Sequence, residues 1–124
     1  MDIGENMENK LIVDSKLTDR DDSGYIYWQG KLFTGTENWY YDDDNIGTET
    51  EYVDGVPDGV MRGWYRNGKI RSEKFYIKGR IQGYVREWYE SGQIKREEEI
   101  YNGIALSTKQ WDENGNLIVD KRKN

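Results

Sequence analysis

The side chains of this sequence that could act in catalysis or in binding are mainly carboxylates, since 24 of its 124 residues are Asp or Glu. One acidic group in the first half comprises Asp42, Asp43, Asp44, Glu49 and Glu51. Two carboxylates are enough for glycosidase-type catalysis, and an acidic patch can also complement a basic groove on a partner. A solvated loop that keeps the protein soluble explains the same residues.

Other reactive side chains are missing from the sequence, which contains neither Cys nor His. Their absence excludes disulfides, Cys/His zinc sites, thiol nucleophiles and His-based catalytic groups. The carboxylates recur at exposed positions of a repeat, where no deep pocket would shift their pKa values. We therefore expect no metal, no cofactor and no enzymatic activity.

Aromatic residues and glycines recur with a fixed spacing that indicates an internal repeat. Trp39, Trp64, Trp88 and Trp111 follow one another at intervals of 25, 24 and 23 residues. A glycine lies four residues after each of the last three tryptophans, at Gly68, Gly92 and Gly115. Around Trp39 the repeat is degenerate, and the acidic segment 42–45 is expected to replace the turn and to add a residue.

The repeat is too short for a pair of helices, and it alternates apolar and charged residues between turn signals, as β-strands do. Two strands of about seven residues and two tight turns account for one repeat. The sequence thus predicts an all-β fold, an antiparallel meander of successive β-hairpins that forms an elongated, twisted open sheet of eight to ten strands. Its expected extent is residues 21–120, between an N-terminal tail over 1–20, with one short strand at 11–13, and a C-terminal tail over 121–124.

The register of the hairpins depends on the loop that follows each tryptophan. A three-residue loop that ends in a left-handed glycine pairs Trp64 with Ile70, whereas a two-residue loop would pair it with Arg71. We favour the first, which also pairs Trp88 with Ile94 and Trp111 with Leu117. Strict alternation then places Glu87 opposite Lys95, with Tyr65, Tyr89, Glu73 and Glu97 on that same face. The other face is predicted to carry Val60, Trp64, Ile70, Tyr76, Tyr84, Trp88, Ile94 and Ile100.

The repeat unit resembles a known family. The segments GVMRGWYRNGKIRSEKFYIKG (59–79) and GYVREWYESGQIKREEEIYNG (83–103) are similar to the MORN-variant repeat of bacteria, and residues 24–35 look like the entry unit that precedes such repeats. The resemblance extends over residues 24–118. It implies an elongated sheet of hairpins and, because many small members are classed as antitoxins or immunity proteins, a role of that kind.

The resulting hypothesis is a non-catalytic protein-binding module, an antitoxin or immunity protein that occludes a cognate toxin. The acidic group and Tyr65 and Tyr89 are its expected contacts, while Trp39, Trp64, Trp88 and Trp111 hold the sheet together. The alternative is a structural scaffold or an anionic-lipid-binding protein, because residues 63–124 carry 13 Lys and Arg against 9 Asp and Glu.

The remaining expectations concern location and partners. The start of the chain is neither basic nor apolar, and no stretch approaches the length of a membrane span, so a cytoplasmic protein without a membrane partner is expected. No nucleic acid partner is expected, since glutamates lie among the basic residues of the second half. An open sheet leaves unpaired edges, so both a monomer and an edge-to-edge homodimer are consistent with the sequence.

Overall fold

The computed structural model describes residues 11–123, and nearly all of their regular structure is β-strand. A single 3-10 turn over Ser15–Leu17 is the helical element of these residues. The strands are β1 Ile12–Asp14, β2 Thr18–Arg20, β3 Ile26–Trp28, β4 Lys31–Leu32, β5 Gly35–Tyr40, β6 Ile46–Val53, β7 Val56–Trp64, β8 Ile70–Ile77, β9 Arg80–Ile81, β10 Gly83–Trp88, β11 Ile94–Tyr101, β12 Ile104–Trp111 and β13 Leu117–Arg122.

The main sheet follows the order of the chain. Its strands are arranged β1-β5-β6-β7-β8-β10-β11-β12-β13, and the short β9 also pairs with β8. From β5 onward each strand is antiparallel to its neighbour. The predicted all-β meander of successive hairpins in an open sheet is therefore confirmed.

The N-terminal end differs from the prediction. β1 lies parallel to β5, with Ile12 opposite Thr36, and a separate three-stranded sheet has the order β2-β3-β4. Apolar side chains join the two sheets, and they form the buried core. Its members are Val13, Ile26, Phe33 and Tyr52, with Trp28 packed against them.

The tails are accordingly shorter than expected. Residues 12–20 form two strands and a turn, because burial of Val13 in the core holds this segment against β5. At the other end, Lys121 and Arg122 belong to β13, where they pair with Thr108 and Ser107. The rest of the expected N-terminal tail, residues 1–10, lies outside the described residues, as does residue 124.

The hairpins after Trp64, Trp88 and Trp111 close with the three-residue loop that the sequence favours. In the loop of residues 65–69, the Tyr65 amide donates to the Lys69 carbonyl at 2.9 Å, and the amide of Gly68 donates back to Tyr65 at 2.9 Å. Gly68 has φ of 86°, a left-handed conformation that glycine adopts without steric cost. The predicted pairs Trp64–Ile70, Trp88–Ile94 and Trp111–Leu117 are confirmed.

One extra residue in the second strand of each hairpin makes strict alternation wrong. Gly63 lies opposite Ser72 whereas Trp64 lies opposite Ile70, so Arg71 is the extra residue of a β-bulge. Beyond the bulge every side chain changes face. Lys95 and Ile118 hold the same position in the next two hairpins.

The bulges correct several predicted positions. Tyr76 and Ile100 lie opposite Gly59 and Gly83, on the face away from the tryptophans. Glu73 and Glu97 are expected on the face away from the tryptophans, but they lie on the same side as the tryptophans and Phe75. Glu87 lies opposite Arg96 rather than opposite Lys95. We call the side that carries Trp64, Trp88 and Trp111 the tryptophan face, and the other side the opposite face.

The first repeat also differs from its predicted alignment. Tyr40, rather than Trp39, takes the position of Trp64, because Tyr40 pairs with Ile46 across a bulge at Gly47. Trp39 pairs with Thr48 and therefore lies on the opposite face. Asp44, with φ of 68°, takes the left-handed position of the glycine, so the acidic loop has three residues like the others and no insertion.

Candidate functional site

The tryptophan face carries a stripe of aromatic–aliphatic pairs that runs across the strands. Each pair consists of the last residue of one strand and the first residue of the next, directly before and after a hairpin loop. Most of these side chains are partly exposed, and Leu117 is 50% exposed at the edge of the sheet. The stripe is formed by Tyr40–Ile46, Trp64–Ile70, Trp88–Ile94 and Trp111–Leu117.

Tyrosine hydroxyls keep these pairs in line. The Tyr41 hydroxyl donates to the backbone carbonyl of Trp64 at 2.7 Å, and the Tyr89 hydroxyl donates to that of Trp111 at 2.8 Å. Tyr65 makes the same contact with Trp88. Each of these bonds ties the loop of one hairpin to the strand of the next, which fixes the spacing of the stripe.

A row of alternating charges runs beside the stripe on the tryptophan face. Each strand from β6 to β13, apart from the short β9, contributes one member, and successive members face each other in register. The row is Glu49, Arg62, Glu73, Arg86, Glu97, Lys109 and Asp120.

Ion pairs neutralise the centre of this row. Arg62 Nε lies 2.9 Å from Glu73 Oε2, and Arg86 Nε lies 2.8 Å from Glu97 Oε2. Arg86 also reaches the other oxygen of Glu73, at 3.9 Å. The Glu73 side chain is only 18% exposed, so its charge is satisfied within the sheet. Sequence reasoning missed the row because strict alternation divided its members between the two faces.

The opposite face has its own short set of ion pairs. Arg96 lies 2.8 Å from Glu98 and 3.7 Å from Glu87, and the Thr108 hydroxyl donates to Glu98 at 3.0 Å. Lys95 lies over the ring of Tyr89, with its ammonium 5.5 Å from the ring centre. Tyr65 and Tyr89 are predicted to contact a partner protein, but their hydroxyl groups donate to Trp88 and Trp111 within the sheet.

The structure separates the five acidic candidates into two places. Asp42, Asp43 and Asp44 form the first hairpin loop. Glu49 and Glu51 lie on the tryptophan face of β6, where Glu49 reaches Arg62 at 3.8 Å and Glu51 accepts from the Val60 amide at 2.7 Å. The Glu51 carboxylate is therefore hydrogen-bonded within the sheet.

Within the loop the three aspartates have different surroundings. Arg66 Nη1 lies 2.7 Å from Asp42 Oδ1, and this bond holds the pKa of the Asp42 carboxyl below its usual value. Asp43 accepts from the backbone amide and the side chain of Asn45, at 3.1 and 3.2 Å. Asp44 is exposed, and its side chain has no polar partner among the described residues. Its carboxylate is the one most open to a partner.

The concavities described for the sheet are open and shallow. The groove with the largest volume described, about 510 Å³, has Arg80 as its only charged lining residue, beside Tyr76, Ile81 and Ile100. Residues 11–123 contain no cluster of three or more acidic side chains arranged to hold a metal ion. No helix of this part of the chain has the length and apolarity to cross a membrane.

Comparison with known proteins identifies the central hairpins. Residues 57–78 and residues 81–102 each match the family model described as MORN repeat variant. These two segments are similar to MORN repeats. They cover most of β7 with β8, and part of β9 with β10 and β11, and they contain the central part of both the stripe and the charge row. Searches of curated proteins and of solved structures each found no match.

Proposed function

We propose that this chain is a non-catalytic protein-binding repeat module, and that its partner is a toxin domain whose active site it occludes. The observation that carries the proposal is the tryptophan face, where an apolar stripe and a neutralised charge row lie side by side on an open sheet. Trp, Tyr and Arg are the side chains that most often anchor protein interfaces.

The dimensions of this face suit a protein partner. The stripe crosses eight adjacent strands, which at the usual strand separation gives a length of roughly 34 Å. Each partner of a stable complex buries roughly 800 Å², a patch about 30 Å across, so the stripe is long enough to span such an interface. The shallow grooves, by contrast, offer a small molecule little enclosure.

Charge supports a partner of basic character. Residues 1–62 contain 15 Asp and Glu against 5 Lys and Arg, and Asp44 projects from the first loop without a polar partner among the described residues. An acidic end accelerates association with a basic surface, such as the substrate groove of a nuclease. In the second half, Arg86 and Arg96 are paired with glutamates and Arg66 is paired with Asp42, which weakens the field that an anionic lipid surface would need.

Two adjacent residues of the edge strand provide a matched test of the binding face. Leu117 lies on the tryptophan face and Ile118, the bulge residue, lies on the opposite face. Both are at least half exposed, at 50% and 59%. We expect Leu117→Ser to weaken binding to a cognate toxin about tenfold, and Ile118→Ser to leave it unchanged. Equal weakening by the two variants would refute the assignment of the face.

The toxin itself is sought by co-expression with the product of the neighbouring open reading frame. Expression of that product alone should arrest growth, and growth should return when this chain is present. A neighbour that is harmless alone, or that remains toxic in the presence of this chain, contradicts the antitoxin role. Flotation with phosphatidylserine vesicles examines the lipid-binding alternative, and salt-sensitive binding there would support it instead.

A further inference from the structure

Three Asn-Gly pairs occur in the sequence, and they are chemically special. They are Asn67-Gly68, Asn102-Gly103 and Asn114-Gly115. In such a pair the glycine amide nitrogen can attack the side-chain carbonyl of the asparagine, because glycine has no side chain to obstruct the approach. The rate depends on how freely the asparagine side chain and the loop backbone can move. In the structure, hydrogen bonds restrain the three asparagines to different degrees.

Both polar atoms of the Asn67 side-chain amide are hydrogen-bonded. Its Nδ2 donates to the Glu90 carbonyl at 3.1 Å, and its Oδ1 accepts from the Lys69 amide at 2.9 Å. The first of these bonds reaches the next hairpin loop, so Asn67 is fixed by the neighbouring repeat. Attack by Gly68 would require both bonds to break.

Asn102 is held by a reciprocal pair of bonds with Gln82. The Gln82 Nε2 donates to Asn102 Oδ1 at 3.1 Å, and the Asn102 amide donates to Gln82 Oε1 at 3.1 Å. Here too a neighbouring segment restrains the asparagine. Its side-chain carbonyl, the group that would be attacked, is one of the bonded groups.

Asn114 lacks this restraint. Its backbone amide donates to Asp112 Oδ1 at 2.9 Å, but no hydrogen bond joins its side-chain amide to any other residue of the described chain. The loop is the last of the series and leads into the edge strand β13, so no further hairpin loop of the described chain lies beyond it. Asn114 is also exposed to water, which is the second reactant.

We propose that Asn114 is a site of spontaneous deamidation in the folded protein. The Gly115 nitrogen bonds to Asn114 Cγ and loses its proton, and the side-chain nitrogen leaves as ammonia, which produces a cyclic succinimide. Water then adds to one of the two imide carbonyls and opens the ring to aspartate or isoaspartate. The reaction consumes one water and releases one ammonia, without oxidation or reduction.

The product changes the end of the tryptophan face. An isoaspartate inserts an additional backbone carbon into a loop of three residues, and it adds a carboxylate directly after Asp112 and Glu113 in the sequence. Because this loop sets the Trp111–Leu117 pair, the last pair of the stripe becomes misaligned and β13 opens more readily.

The test follows deamidation in the full-length folded chain, incubated in mildly alkaline buffer and analysed by peptide mass mapping. Isoaspartyl methyltransferase provides a second readout that is specific for isoaspartate. We expect Asn114 to react roughly tenfold faster than Asn67 or Asn102, as the loss of a restraining hydrogen bond allows. Asn114→Gln should remove most of the methyl acceptance, and the matched variants Asn67→Gln and Asn102→Gln should retain it.

Denaturant distinguishes the structural cause from local sequence. In concentrated urea the three sites should react at similar rates, since the restraints on Asn67 and Asn102 are lost. Deamidation at Asn67 or Asn102 as fast as at Asn114 in the folded chain would overturn the proposal. An unchanged preference for Asn114 in urea would overturn its structural basis.

Discussion

The hydroxyl of Tyr65 donates to the backbone carbonyl of Trp88 at 2.6 Å, which joins a loop to a strand that lies 23 residues further along the chain. The bond links neighbouring repeats through a carbonyl at the end of a strand, next to the loop. Because Tyr41 and Tyr89 repeat it, the contact is part of the repeat itself. The series positions the tryptophans whose side chains form the stripe.

Replacing Tyr65 by Phe should lower the free energy of unfolding by about 1 kcal/mol, since one partly buried hydrogen bond is lost and the Trp88 carbonyl is left without its donor. Urea unfolding followed by tryptophan fluorescence measures the change. Tyr101 is 61% exposed, and its hydroxyl has no hydrogen-bond partner in the described part of the chain, so Tyr101→Phe is the control. Equal effects of the two variants would show that the contact contributes nothing to stability.

The close approach of Trp39 to Gly47 gives a second prediction. A Cβ atom at Gly47 would lie within 2.5 Å of the Trp39 ring, so Gly47→Ala should destabilise the protein by about 1–3 kcal/mol. In a Trp39→Ala background the same substitution should cost little, because the clash is gone. A double-mutant cycle measures this coupling, and additive effects of the two substitutions would contradict it.

Backbone strain at Asp44 gives a third prediction. Asp44 adopts the left-handed conformation that glycine takes in the other three loops, at a cost of about 1 kcal/mol for a residue with a side chain. Asp44→Gly should therefore raise the thermal midpoint. Asp43→Gly should lower it, because Asp43 accepts two hydrogen bonds from Asn45. A decrease with both variants would mean that the Asp44 side chain stabilises the loop in another way.

The carboxylate of Asp112 gives a dependence on pH. Hydrogen bonds from Asn116, followed by those from Asn114 and Gly115, hold the pKa of Asp112 below its usual value. A carboxyl with a lower pKa in the folded state stabilises that state above its unfolded pKa, and this contribution is lost as pH falls through the folded pKa. Asp112→Asn should thus reduce stability at neutral pH and have progressively less effect in acid.

Unfolding curves of the wild type and of Asp112→Asn between neutral and acidic pH check this dependence. Glu113→Gln is the control in the same loop, because Glu113 is exposed and no residue of the described chain pairs with it. A stability difference for Asp112→Asn that stays constant down to strongly acidic pH would contradict the assigned role of the charge.

The repeat and the turns could be predicted because they depend on local chemistry. Glycine at positions 68, 92 and 115 favours one type of loop, and the aromatic–aliphatic pairs select one register. The bulges could not be predicted in the same way. Nothing about arginine at position 71 or lysine at position 95 indicates a bulge. Strict alternation continues through both residues and therefore places Glu73 and Glu97 on the wrong face.

Long-range contacts explain the other differences. Val13 is one apolar residue in a polar segment, and only its packing with Ile26, Phe33 and Tyr52 makes that segment part of the fold. Trp39 fits the tryptophan spacing to within one residue, yet a shift by one residue places it on the other side of the sheet. The candidate acidic group is likewise divided between two places. Glu49 contacts Arg62 and Asp42 contacts Arg66, and the sequence indicates neither contact.

The fourth loop begins with Asp112, where the first three begin with a tyrosine. Its carboxylate accepts bonds from its own loop, whereas Tyr41, Tyr65 and Tyr89 each donate to the hairpin that follows. An aspartate at this position thus replaces a bond to the next hairpin by bonds within its own loop. A hairpin engineered onto the free edge of β13 would therefore gain backbone pairing but no tyrosine bond from the fourth loop, unless Asp112 were replaced by tyrosine.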